Sequence, residues 1–207
     1  MMLPQLESTL QPYLSQLPSP EWSSLTPGNY IDSVRTLAGD TPLDTSTQPN
    51  GDDTFYAKSL MVPAMSDAAV RSWVYNMAYD GFNSDTAWFC QLELYGGSNS
   101  KINEVASDAT AFAHRDAMNT IQFYASSSSY SPPYPEDGFG FLDNMVSQIT
   151  QNQDLGEVPA AYVNYIDTRL DNPQQAYYGA NSGRLSTLKG QYDPKAVFRF
   201  PSAVQAS

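Results

Sequence analysis

Ala87-Trp88-Phe89-Cys90-Gln91-Leu92-Glu93-Leu94-Tyr95, closed by Gly96-Gly97, is the stretch from which the fold is read. It is proline-free, rich in aromatic and aliphatic residues, and stopped by two glycines, so it reads as a strand running into a turn. Upstream, Phe55 to Val62 reads as a second strand. Between the two, Ser66 is placed to cap a helix whose Val70, Trp73, Val74 and Met77 recur at helical spacing and which stops near Gly81. Downstream, Ala111–His114 and Ile121–Ala125 read as two more strands forming an antiparallel pair, and Tyr162–Asp167 as a further one. Phe139, Leu142, Met145, Val146 and Ile149 form a helical stripe. Asn172-Pro173 opens a helix, and Leu185 and Leu188 carry a last one ending near Gly190.

Ahead of Phe55 the chain is less regular. Leucines at 3, 6, 10, 14 and 17 mark one helical face that Pro12 bends or splits. A proline-rich stretch at 18–28 interrupts, and Ile31, Val34 and Leu37 suggest a short helix ending at Gly39. Residues 40–53 and 126–138 read as loops. Four or five strands interleaved with single helices and joined by short connections favour an α+β fold, an antiparallel β-sheet covered by helices on one face.

The 207 residues suffice for one sizeable core. The net charge of −12 repels nucleic acid and anionic membrane surfaces, and no apolar run is long enough for a membrane-spanning helix. From Tyr165 onward five bases meet three acids, so the tail is basic relative to the body and suited to an anionic partner such as a phosphate-bearing cofactor. Cys90 is the only cysteine and His114 the only histidine, which excludes an internal disulfide and a histidine-based metal cluster. Cys90 sits in an apolar run and reads as an inert buried thiol. The N-terminus lacks the basic start and apolar run of a signal peptide, and no Asn-x-Ser/Thr sequon occurs, which together favour an intracellular chain. Neither a GxGxxG nor a P-loop pattern is found.

The last third carries a denser signal: Ala161-Tyr162-Val163-Asn164-Tyr165-Ile166-Asp167, Tyr177-Tyr178-Gly179-Ala180-Asn181, Arg184-Leu185, Lys189, Tyr192-Asp193-Pro194 and Phe198. Upstream stand Phe55-Tyr56-Ala57-Lys58-Ser59-Leu60, Gln91 to Gly97 and Thr110-Ala111-Phe112-Ala113-His114-Arg115. In order and spacing these segments resemble the berberine-bridge-enzyme-like FAD-linked oxidases, flavoproteins of the vanillyl-alcohol-oxidase type. The resemblance runs from about Phe55 to the end, with Ala113 where the family has a proline. It implies a substrate-domain-like α+β region over 1–160 and a berberine-bridge-type C-terminal segment over 161–207. The FAD-binding domain is absent from this chain. FAD is therefore the implied cofactor, not bound by this chain alone, and a FAD-binding chain or domain is an implied partner besides the small-molecule substrate.

The resemblance also implies roles. Tyr165 matches the position that supplies the base in several relatives, a phenol of pKa ~10 that needs help to act near neutral pH. Asn164 is placed to bind the flavin or a neighbouring backbone, and Asn181 is a second cofactor-side candidate. If Tyr162–Asp167 is a strand, Tyr162 and Tyr165 face opposite ways. Gln122 is the closest counterpart of a carboxylate base used by other relatives, and an amide cannot take a proton, so Gln122 and its neighbour Tyr124 read as substrate-binding. Glu93 and Tyr95 share a strand face and either line the pocket, with Glu93 as a second catalytic candidate, or leave Glu93 facing solvent or an ion pair. His114-Arg115 reads as a brace for the sheet. Two functional readings follow: the substrate-binding and C-terminal portion of a FAD-linked oxidoreductase acting on a small natural-product or sugar-like molecule, and a flavin-free isomerase or cyclase using the same pocket.

Overall fold

A computed structural model describes residues 3–16, 28–37 and 53–207. The expected proline-rich interruption, the stop at Gly39 and the loop at 40–53 lie outside the described residues, apart from Gly28 and Asp53. The chain divides into two compact units, Met1–Asn50 and Gly51–Ser207.

The first unit holds α1 (Leu3–Leu14) and α2 (Tyr30–Leu37). Pro12 does not split α1: it falls in the last turn, where a lost intrahelical hydrogen bond interrupts little that follows. At the start of α2, Asn29 and Asp32 cap each other reciprocally. The Asp32 N–H donates to Asn29 Oδ1 at 3.0 Å, and the Asn29 N–H to Asp32 Oδ2 at 3.1 Å.

The second unit begins with β1 (Phe55–Val62), α3 (Asp67–Tyr79), β2 (Thr86–Leu94) and β3 (Asn119–Ser127). It continues with α4 (Glu136–Thr150), α5 (Pro173–Tyr178), a 3₁₀ turn (Gly179–Asn181) and α6 (Ser182–Tyr192). The sheet has three strands in the order β1-β3-β2, with both pairings antiparallel. Helices α3 and α4 cover one face. The core holds Leu60 and Val62 of β1, Ile121, Phe123 and Ala125 of β3, Trp73 of α3, and Leu142, Met145 and Ile149 of α4. Each fully buried large apolar side chain of this set contributes roughly 1.5–3 kcal/mol. A second, smaller cluster (Ala161, Ala176, Tyr177, Tyr178) gathers the tail.

The expected α+β fold with one helix-covered face is what forms. Two expected strands do not. Ala111–His114 is irregular and leads into a turn at Arg115–Asp116, with the Arg115 N–H on Ala113 O at 2.9 Å, and β3 pairs instead with both β1 and β2. Tyr162–Asp167 is also a turn: the Tyr165 N–H bonds Tyr162 O at 3.0 Å, and the Tyr162 N–H goes to Ser59 Oγ at 2.8 Å, leaving no ladder to form. Helix α3 starts where expected, with Ser66 Oγ accepting the Ala69 N–H at 3.1 Å. Its buried stripe is Ala69, Trp73 and Asn76, one step round from the expected one, so that Val70 and Val74 are exposed.

Candidate active site on the open face of the sheet

Strand alternation fixes which side chains face away from α3 and α4. On β3 the helix-facing residues are Ile121, Phe123 and Ala125, so Thr120, Gln122 and Tyr124 point to the open face. The register sets them in rows: Phe89–Tyr124–Ala57, Gln91–Gln122–Ser59 and Glu93–Thr120–Met61. Gly96 ends β2 where the chain passes so close to Ala117 O that an added Cβ would lie 2.4 Å from it.

The 160–167 segment lies over this face and brings Tyr165 to Glu93. The Tyr165 hydroxyl donates to Glu93 Oε1 at 3.0 Å, and Gln91 Nε2 donates to the same oxygen at 2.7 Å. Burial first, and then the bond to the Glu93 carboxylate, hold the Tyr165 phenol above its usual value. The Tyr165 phenol therefore keeps its proton, which is aimed at Glu93 Oε1.

Because 162–165 is a turn, Tyr162 and Tyr165 do not face opposite ways. Their rings meet at 5.3 Å, nearly perpendicular. Tyr95 and Phe112 pack on Tyr162 at 6.0 and 6.2 Å, and Asn164 Nδ2 donates to the Tyr162 hydroxyl at 2.8 Å. A cavity of about 360 Å³ opens beside this aromatic group, lined among others by Tyr95, Phe112, Arg115, Tyr162 and Asn164. Tyr95 is also held above the ordinary phenol value, by burial and then by its bond to Tyr162.

Tyr124 stands one row from Gln122. Its ring is sandwiched between Phe55 and Phe89, each at 4.9 Å, and its hydroxyl bonds Asp53. Phe55 and Phe89 remain 54% and 44% exposed, leaving apolar surface beside the polar rows. Asn181 lies away from this group: its Nδ2 donates to Ser107 O at 2.7 Å and Thr110 O at 3.1 Å, fixing the loop before Ala111. His114 ties the 111–117 segment to α5 through Nε2, 2.8 Å from Ala176 O and 3.1 Å from Tyr177 O. Two carbonyls can only accept, so Nε2 carries the proton. Cys90 is on the helix side, 3.5 Å from Met145 Sδ, with burial pushing its thiol up to about 12.

Residue type and resemblance mark Tyr165 and Glu93 separately, and nothing in the chain signals that they touch. Gln91 is marked by neither, although period-two alternation from Glu93 puts it on the same face. No sequence signal pointed to the contacts that Tyr56 and Lys58 make with Asp167 (Tyr56 Oη to Asp167 Oδ1, 2.8 Å; Lys58 Nζ to Asp167 Oδ2, 2.9 Å).

Residues 161–205 match the family described as berberine and berberine like. The chain is 36% identical over 209 residues to a carbohydrate oxidase of Microdochium nivale, covering 97% of this chain and 41% of that protein. The solved xylooligosaccharide oxidase from Myceliophthora thermophila, in complex with xylobiose, superposes with a TM-score of 0.87 at 29% identity, covering 100% of this chain and 44% of that one. The glucooligosaccharide oxidase from Acremonium strictum, described in terms of the functional roles of its 6-S-cysteinyl, 8α-N1-histidyl FAD, superposes with a TM-score of 0.86 at 30% identity, covering 100% of this chain and 45% of that one. The chain thus spans about two fifths of the length of these relatives. By this match of sequence, fold and C-terminal segment, the chain belongs to the berberine-bridge-enzyme-like FAD-linked oxidases.

Proposed function

We propose that this chain forms the substrate-side wall of an oligosaccharide oxidase and carries its proton-abstracting group. The single observation behind this reading is the 3.0 Å bond from the Tyr165 hydroxyl to Glu93 Oε1 on the face that no helix covers. A sugar hydroxyl becomes a carbonyl by losing a proton from oxygen and a hydride from carbon. Tyr165 Oη takes the proton while passing its own to Glu93 Oε1, so no free phenolate has to form, and the raised phenol pKa is no obstacle. Gln91 keeps Glu93 oriented for the transfer. Gln122 offers its amide to the sugar hydroxyls, and Tyr124, whose two ring faces are taken by Phe55 and Phe89, offers the edge of that aromatic stack to the sugar's apolar side. Relatives that share this architecture are described as acting on carbohydrate, glucooligosaccharide or xylooligosaccharide substrates, which supports a sugar as the substrate class.

The donor set fits the ring end of a flavin. Around Tyr165 it offers neutral amides and hydroxyls (Gln122, Asn164, Tyr162) and exposed aromatic surface. It has no glycine-rich phosphate cradle, and the diphosphate would be held by a FAD-binding chain or domain. A flavin bound against this face supplies the acceptor for the hydride and its two electrons. Asn164, exposed beside Tyr162, is the residue of this chain placed to meet it, with Asn181 acting through the loop it fixes.

The test is Tyr165→Phe in the flavin-loaded protein, with flavin bleaching followed on mixing with gluco-, xylo- and chito-oligosaccharides. Bleaching is expected to slow 10²–10⁴-fold, the usual cost of a lost positioned proton acceptor. The melting temperature should change little, because a ring-conserving swap costs under ~1.5 kcal/mol. Full turnover in Tyr165→Phe would overturn the assignment, and turnover without any flavin would favour the isomerase or cyclase reading.

A further inference from the structure

Tyr165 sits on a turn with almost no regular backbone to hold it. The turn is closed by the 3.0 Å bond from the Tyr165 N–H to Tyr162 O, and Asn164 and Ile166 on either side of Tyr165 are exposed. Apart from the Tyr162 ring packed against its own, the Tyr165 side chain depends on the two ends of the segment, and both ends are anchored on β1. At the near end the Met61 N–H bonds Ala160 O at 2.8 Å, and Ser59 Oγ accepts the Tyr162 N–H at 2.8 Å.

At the far end every polar group of Asp167 is in contact, its carbonyl least closely, 3.5 Å from the Tyr177 hydroxyl. Oδ1 accepts the Tyr56 hydroxyl and the Arg169 N–H, both at 2.8 Å. Oδ2 lies 2.9 Å from Lys58 Nζ, and the Asp167 N–H donates to the Tyr177 hydroxyl at 2.8 Å. Lys58 in turn lies 2.7 Å from Asp143 on α4. The Lys58 and Asp167 side chains are 13% and 3% exposed.

A buried ion pair is a weak source of net stability, since two apolar side chains of the same volume often do as well. What it adds here is direction. Asp167 is fixed from several sides at once, and only Ile166, at most ~7 Å of chain, separates it from Tyr165. We infer that Lys58 and Asp167 are positioning residues, which set the reach of the Tyr165 hydroxyl to Glu93. The role rests on the proton transfer proposed above.

The experiment is carbon-13 NMR of the chain with tyrosine labelled at Cζ. Loss of a signal in Tyr165→Phe assigns the Tyr165 resonance, and Glu93→Gln defines its position without the carboxylate bond. Asp167→Asn keeps the shape and removes the charge, so it is expected to move the Tyr165 resonance towards the Glu93→Gln position. Tyr56→Phe leaves the ion pair and removes one bond to Asp167; it should move the resonance the same way by less, and it decides the matter if Asp167→Asn does not fold. Ile149→Val, a core change on α4, lowers the melting temperature and should leave the resonance in place. In the flavin-loaded protein Asp167→Asn should lower kcat by up to about 10²-fold with KM unchanged. A Tyr165 resonance that stays at its wild-type position in both Asp167→Asn and Tyr56→Phe overturns the inference. Failure of the proton-transfer reading shows separately, as full turnover in Tyr165→Phe, and leaves the NMR result standing.

Discussion

At the scale of single residues, geometry rather than residue type assigns the roles. A strand glutamate is ordinarily a solvated charge, but Glu93 accepts hydrogen bonds from both Tyr165 and Gln91 and is thereby held in one orientation. His114 is the opposite case, a titratable ring used as a fixed donor. Burial lowers its pKa, against smaller raising effects from the Ala176 and Tyr177 carbonyls and from Asp116. In the unfolded chain it titrates near the ordinary value of about 6.5. Between the lowered folded value and about 6.5, the unfolded chain binds a proton that the fold does not, so stability falls as pH drops through that window. His114→Gln keeps an N–H donor for the two carbonyls and removes the titration. Chemical denaturation at pH 7.5 and 5.5 should show a smaller loss of stability on acidification in His114→Gln than in the wild type. An equal loss in both would show that His114 does not contribute.

At the scale of elements, the helices are set by their caps and the sheet by its central strand. Ser66 accepts the Ala69 N–H, donates to Asn152 O at 3.0 Å, and its backbone N–H meets Gln153 Oε1 at 2.8 Å. It therefore caps α3 and ties it to the end of α4. Ser66→Ala removes both hydroxyl bonds and should cost about 1–2 kcal/mol, read as a shift in the denaturation midpoint at constant slope. A change within ~0.3 kcal/mol would mean that water replaces the cap without loss. β3 holds the sheet together because it alone pairs on both sides, and its helix-facing Ile121, Phe123 and Ala125 are fully buried.

At the scale of the molecule, the second unit leaves aromatic side chains in water at its C-terminal end. Tyr192, Val197, Phe198 and Phe200 are all exposed. The segment is nonetheless held in place: Lys189 Nζ reaches Phe198 O at 2.6 Å, and Asp193 accepts the Val197 and Phe198 N–H groups at 2.7 and 3.1 Å. Exposed apolar side chains held on a fixed backbone should bind a dye that fluoresces on apolar surfaces, and Phe198→Asp should lower that fluorescence without changing the melting temperature. Undiminished fluorescence in Phe198→Asp would place the dye elsewhere.

The sequence by itself determined the long elements, because each carries a continuous run or a repeated period. Strands β1 and β2 fall close to where their apolar runs put them and helices α3 and α4 close to where helical spacing does, and the capping residue of α3 is read correctly from the chain. The order of motifs from Phe55 to Phe198 likewise carried the family. Only the tertiary structure decided the rest. Ala111–His114 and Tyr162–Asp167 have the composition of strands, yet the backbone groups of the first go to residues two or three positions away, and in the second the Tyr162 N–H goes to Ser59, 103 residues away in sequence. The site follows the same rule. Tyr165 and Glu93 are 72 residues apart, and Lys58 and Asp167 farther still. Residue type marks each as capable of proton chemistry or of an ion pair. Which ones meet depends on the register of the sheet and on the tail that wraps its β1 edge, and neither leaves a periodic signature in the chain.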